Sequence, residues 1–149
     1  MKVDDRQASY HAVEYLIRQG HREIAMISGT KDDIIAGTTR VEGYLQALRD
    51  HGIDPVPERL VYGDFRFQSG RLAMETLLDT APGFTALFAA SDEMALGALS
   101  AAARRNIRVP DQLSIIGYDN LKLAEMAIPP LTTVAQPLFL KWEAMHRRS

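Results

Sequence analysis

The strongest constraint on this chain's fold is an alternation: apolar stripes at helical spacing take turns with short unbroken apolar runs from Ala12 to Tyr118. Ala12, Val13, Leu16 and Ile17 share one helical face, and Gly20 is placed to close that helix. Ile24-Ala25-Met26-Ile27 then reads as a buried strand ending at Ser28-Gly29. Val41, Tyr44, Leu45 and Leu48 mark a second helix, stopped at His51-Gly52; Asp54-Pro55-Val56-Pro57 is a loop and Leu60-Val61-Tyr62 a strand. Leu72, Ala73, Thr76 and Leu77 give a third helix, and Ala86-Leu87-Phe88-Ala89 a buried strand. The fourth helix runs from Asp92 to Arg105, with Asp92 and Glu93 in its first turn and Arg104 and Arg105 in its last, the order that suits the helix dipole. Ser114 to Tyr118 is the last core strand, and after Pro129-Pro130 a β-branched segment, Leu131 to Val134, crosses back. Strands separated by helices predict an α/β fold: an open parallel sheet with helices on both faces, three layers deep.

Composition narrows what such a fold can do here. At 149 residues the chain is one domain or one large lobe, long enough to bury a core without staples. A net charge of -2 provides no basic face for nucleic acid, so this polypeptide by itself is not expected to bind DNA. The absence of cysteine rules out disulfides, thiolate nucleophiles and cysteine-zinc sites, and fits a cytoplasmic location. No stretch approaches the roughly 18 apolar residues of a membrane span, and the start has no apolar signal core.

Ligands of open parallel sheets sit beyond the carboxyl ends of the strands. Those ends are Ser28-Gly29-Thr30, Gly63-Asp64-Phe65, Ser91-Asp92 and Asp119-Asn120. Brought to one edge, they form a polar mouth with one aromatic stacking surface, suited to a polyhydroxylated or heteroaromatic small molecule. Gly29-Thr30-Lys31-Asp32 is no phosphate loop, having one glycine and no Lys-Ser/Thr pair. Each residue also has a plain structural reading: Ser91 as a helix cap, Asp64, Asp119 and Asn120 as turn formers, Arg40 as a solvated charge. Catalysis has little to stand on. His11, His21, His51 and His146 fall in helical or turn contexts, and no serine lies in a Gly-x-Ser-x-Gly turn. A magnesium cluster of Asp4, Asp5, Asp92 and Asp119 would want a lysine after a late strand, where the chain offers Lys122 in a loop. No catalytic residue, metal or cofactor is expected.

Several longer motifs carry a resemblance. Gly20-His21-Arg22-Glu23-Ile24 through Ser28-Gly29, Arg40-Val41-Glu42-Gly43-Tyr44, and Ser91-Asp92-Glu93-Met94-Ala95-Leu96-Gly97 resemble segments of the LacI/GalR regulators, in their order and spacing. So do Val109-Pro110-Asp111, Ser114 to Asp119, and Pro129-Pro130-Leu131-Thr132-Thr133-Val134 with Gln136-Pro137. The resemblance implies a periplasmic-binding-protein-like core whose two lobes clasp a small effector, usually a sugar or nucleobase, with this chain as the C-terminal lobe. It implies Arg40 as a bidentate hydrogen-bonding arm, Asp119 as the carboxylate accepting from hydroxyls and Phe65 as the stacking ring. Ser91, Asp92 and Gln136 complete the polar set. A guanidinium fork and a carboxylate together read donors and acceptors on a ring.

The same resemblance makes residues 1–136 the lobe and 137–149 an atypical tail that lacks the family's glycine-containing helix. The helix-turn-helix and the N-terminal lobe are outside this chain, so DNA would be reached only through them. The tail's Leu138, Phe139, Leu140, Trp142 and Met145 are expected to fold back or drive self-association, and a homodimer is the expected assembly. Met94, Leu96 and Gly97 are read mainly as core, with a dimer contact as the alternative. Two other functions keep the fold: a sugar-receptor lobe of a transport system, and an enzyme lobe acting on a nucleotide or sugar.

Overall fold

The computed structural model describes residues 5–30, 36–109, 112–118 and 132–134. The predicted residues Asp119 and Gln136 and the tail from residue 137 lie outside them.

Five strands form one parallel sheet: β1 (Ile24–Ser28), β2 (Leu60–Tyr62), β3 (Ala86–Ala89), β4 (Ser114–Tyr118) and β5 (Thr132–Val134), in the order β2-β1-β3-β4-β5. The crossing segment thus joins the sheet as a fifth strand, pairing Ile116 with Thr132 and Tyr118 with Val134. Among the described residues, α1 (Asp5–Arg18) precedes β1, and α2 (Ala36–Asp50), α3 (Phe67–Thr80) and α4 (Asp92–Arg104) connect successive strands from β1 to β4. Helices α1 and α2 pack on each other, as do α3 and α4, and each pair lies against the sheet. Burial on both faces explains why β1 and β3 are apolar throughout rather than alternating. The core of Met26, Ile27, Leu87, Phe88, Met94 and Ile116 sits between the two helix layers.

Close packing within each pair depends on glycine. A side chain at Gly43 would run into the α1 backbone at Arg6 and Tyr10; one at Gly70 or Gly97 would run into the facing helix. Helix α2 is tied to the start of β1 by the Tyr44 hydroxyl, which donates to the Ile24 carbonyl at 2.8 Å; burial pushes that phenol's pKa up. Tyr10 on α1 donates to Asp50 on α2 at 2.7 Å, and that bond raises the Tyr10 pKa to about 12.

The third helix departs from its predicted face. Ala73 and Leu77 are buried as expected, but Leu72 is 53% exposed and Thr76 also faces solvent. Gly70 and Met74 take the inner positions instead. A stripe read from Leu72 and Thr76 is rotated by one position, because glycine carries no apolar signal although it makes the closest contact. The loop at residues 54–57 ends in a short 3-10 turn, Pro57–Arg59. In α4, Met94 and Gly97 are buried against α3 and Leu96 is half-buried, which fits the core reading for most of that helix.

Candidate ligand site

The chain leaves β1 toward β2 on one side, and leaves β3 toward β4 on the other, so the order in which the parallel strands are added reverses between β1 and β3. Gly29 follows β1 there, and Ala90-Ser91 follow β3. This is where open sheets form their ligand crevice.

Arg40 reaches this edge from the first turns of α2. It is only 8% exposed, and its Nη1 donates to the Ala90 carbonyl at 2.7 Å. Its guanidinium lies over the Tyr118 ring, 3.9 Å from the centroid, and 5.7 Å from that of Phe65. A desolvated cation over an aromatic face gains about 2 kcal/mol, enough to hold the group in place. Arg40 makes no ion pair among the described residues, and its Nε–H is buried without a hydrogen-bond acceptor. A buried donor left so is costly unless a partner arrives.

Phe65 occupies the turn between β2 and α3 with φ of 72°, a left-handed conformation unusual for an aromatic residue. Its ring lies on Gly29, where any Cβ would overlap it. The carbonyl of Phe65 accepts from the Ser91 hydroxyl at 3.0 Å. That hydroxyl in turn accepts from Met94 N–H at 3.2 Å, capping α4. Ser91 is therefore engaged both as a helix cap and as a tie to the aromatic turn. Asp92 is fully buried in the first turn of α4, packed where Gly117 on β4 has no side chain.

Of the residues predicted from sequence, Arg40, Phe65, Ser91 and Asp92 thus gather at one edge. One participant was not anticipated. Tyr118, the last residue of β4, supplies the ring beneath Arg40; its signal was an aromatic at a strand's carboxyl end, one position before Asp119. Gly29 makes room for Phe65, which only the fold reveals. A cavity of about 250 Å³ opens at the opposite edge of the sheet, lined by residues that include Arg22, Glu23, Leu48, Ile53 and Arg59. It is remote from this constellation, and volume is a weaker guide to the site than the buried arginine.

Comparison with known proteins identifies the fold and the family. The profile of the "Periplasmic binding protein-like domain" family matches residues 13–139. The chain is 47% identical over 137 residues to the HTH-type transcriptional repressor CytR of Escherichia coli (strain K12), covering 92% of this chain and 40% of that protein. It is 42% identical over 145 residues to the HTH-type transcriptional regulator CelR of Thermobifida fusca, covering 97% of this chain and 42% of that one. Among solved structures, a CelR–cellobiose complex superposes with a TM-score of 0.87 at 42% identity, covering 98% of this chain and 44% of the other. The Escherichia coli repressor ascG superposes with a TM-score of 0.85 at 36% identity, covering 97% and 52%. The chain spans about two-fifths of the length of these curated relatives. These relatives are transcriptional regulators. The chain belongs to the periplasmic binding protein-like family, in the form of the effector-binding domain of LacI-family transcriptional regulators.

Proposed function

We propose that this lobe reads a small, polyhydroxylated, sugar-like effector at the carboxyl edge of its sheet, on behalf of a cytoplasmic transcriptional regulator. The observation that carries the reading is Arg40: a nine-tenths-buried guanidinium on an aromatic bed at the topological switch point, with an N–H that has no acceptor among the described residues. Such a group is built to meet an oxygen-bearing ligand. Arg40 and Phe65, with Asp119 and Gln136, are the proposed contacts, while Ser91 and Asp92 support the mouth from beneath. The CelR relative is solved with cellobiose, which makes disaccharides the first class to try.

In the whole regulator, ligand occupancy would shift two lobes against each other and so change how paired copies present their DNA-reading segments. One lobe supplies about half the contacts and none of the enclosure, so its own affinity is expected to be weaker by several kcal/mol. A thermal-shift panel of mono- and disaccharides, nucleosides and purines at millimolar concentration tests the reading. A ligand at 100 times its dissociation constant adds about 2.7 kcal/mol of stability. One ligand class should raise the melting temperature, and Arg40→Ala should abolish the rise. A rise that survives Arg40→Ala would place the ligand elsewhere.

A further inference from the structure

We propose that Asp64 and Ser69, acting with Ser91, are positioning residues that hold Phe65 in its left-handed conformation with its ring preset on Gly29. The role given to that ring rests on the effector reading above.

The turn that carries Phe65 is tied at several points within six residues. Asp64 N–H donates to the Ser69 hydroxyl oxygen at 2.9 Å, and that hydroxyl donates to the Arg66 carbonyl at 2.9 Å. Arg66 N–H donates to Asp64 Oδ1 at 3.0 Å, closing the turn around Phe65 from its other side. The Ser91 hydroxyl fixes the Phe65 carbonyl from α4. Gly63 leaves space for the Ser69 hydroxyl, which would stand 2.8 Å from any Cβ placed there. The Asp64 carboxyl is held below the usual carboxylate range, first by the Ser69 hydroxyl beside it and then by the Arg66 N–H.

A non-glycine residue persists at positive φ only where its surroundings over-determine it, and such sites cluster where ligands are gripped. Here the over-determination is visible, and it acts on the ring intended to stack. A ring already in place loses little freedom when a ligand arrives, which is how a shallow half-cleft can keep selectivity. Asp64, although at the mouth, thus acts through Phe65 rather than on the ligand.

The test reads the ring directly by NMR on the full chain. Gly29 Hα protons lie against the Phe65 ring and should resonate upfield of the ordinary glycine range; Phe65→Leu should return them to it. Asp64→Ala and Ser69→Ala should each move them part of the way back. Asp64→Asn, whose side-chain oxygen still accepts from Arg66 N–H, should preserve the wild-type shift. Folding is checked in the same spectra from the remaining amide resonances. An unchanged Gly29 shift in both Asp64→Ala and Ser69→Ala would overturn the proposal, as would an equal loss in Asp64→Asn and Asp64→Ala. Cellobiose titration forms the second arm: Asp64→Ala should weaken binding about tenfold, near 1.4 kcal/mol, with Asp64→Asn restoring it. A wild-type chain that ignores cellobiose would count against that effector alone, since the Gly29 shifts decide the positioning role by themselves.

Discussion

The two edges of the sheet handle their largely buried arginines differently. At the foot, where the strands begin, several polar groups pair with one another. His21 bridges the Thr85 hydroxyl through Nδ1 at 2.8 Å and the Ser114 hydroxyl through Nε2 at 3.1 Å, so one side chain ties the starts of β3 and β4 to the segment before β1. The Glu23 carboxylate pairs with Arg59, and its carbonyl accepts from Thr85 and Ala86 N–H. At the top, the arginine has aromatic faces and one carbonyl around it but no carboxylate partner among the described residues. The foot carries more internal pairing, although a cavity opens there and the Arg59 Nε–H, like that of Arg40, is buried without an acceptor among the described residues. The top combines a buried donor without an acceptor among the described residues with a strained aromatic turn, features that destabilise unless something binds.

The comparison can be broken in order of expected effect. Phe88→Ala, in the centre of the sheet and fully buried, should cost about 3–5 kcal/mol in chemical denaturation and weaken both edges alike. A loss under about 1 kcal/mol would mean the two edges do not share one core. His21→Ala should cost about 1–2 kcal/mol by leaving two hydroxyls without their partner, and a cost near zero would show the foot is not a latch.

Burial lowers the His21 pKa, so the folded state disfavours the protonated ring. The unfolded chain then binds more protons, and stability should fall as pH drops below the unperturbed value of about 6.5 toward the folded pKa. Melting curves across that window should flatten in His21→Gln; an equal slope in both proteins would assign the titration to another group.

The smallest change in stability is expected at the top. Arg40→Met removes a buried charge but leaves the buried Ala90 carbonyl without its donor; the two effects oppose each other, so the variant should unfold within about 1 kcal/mol of wild type while losing ligand response. A loss of several kcal/mol would make Arg40 a structural pillar and erase the contrast between the edges.

Strand and helix positions were legible because burial on both sheet faces writes itself as unbroken apolar runs, as in Ile24–Ile27 and Ala86–Ala89. The gathering of Phe65, Ser91 and Asp92 at one edge was legible too, because parallel strands all end on the same side, whereas Arg40 was placed there by the family resemblance. What the residues do on arrival was not. Ser91 and Asp64 read equally well as ligand groups or as turn and cap formers, and only their partners separate the roles: Phe65 carbonyl and Met94 N–H for one, Arg66 N–H for the other. Leu72 read as core and is exposed, because Gly70, silent in any apolar count, is the residue that meets α4.

The sequence by itself thus determined the layer order, the strand ends and the family, which follow from periodicity and from motifs local to the chain. Tertiary structure alone decided that Tyr118 lies under Arg40, that Gly29 receives the Phe65 ring and that the left-handed turn is clamped from α4. These are contacts between residues 26 to 78 positions apart, and no local preference encodes them; they exist only once the sheet fixes which strand ends are neighbours.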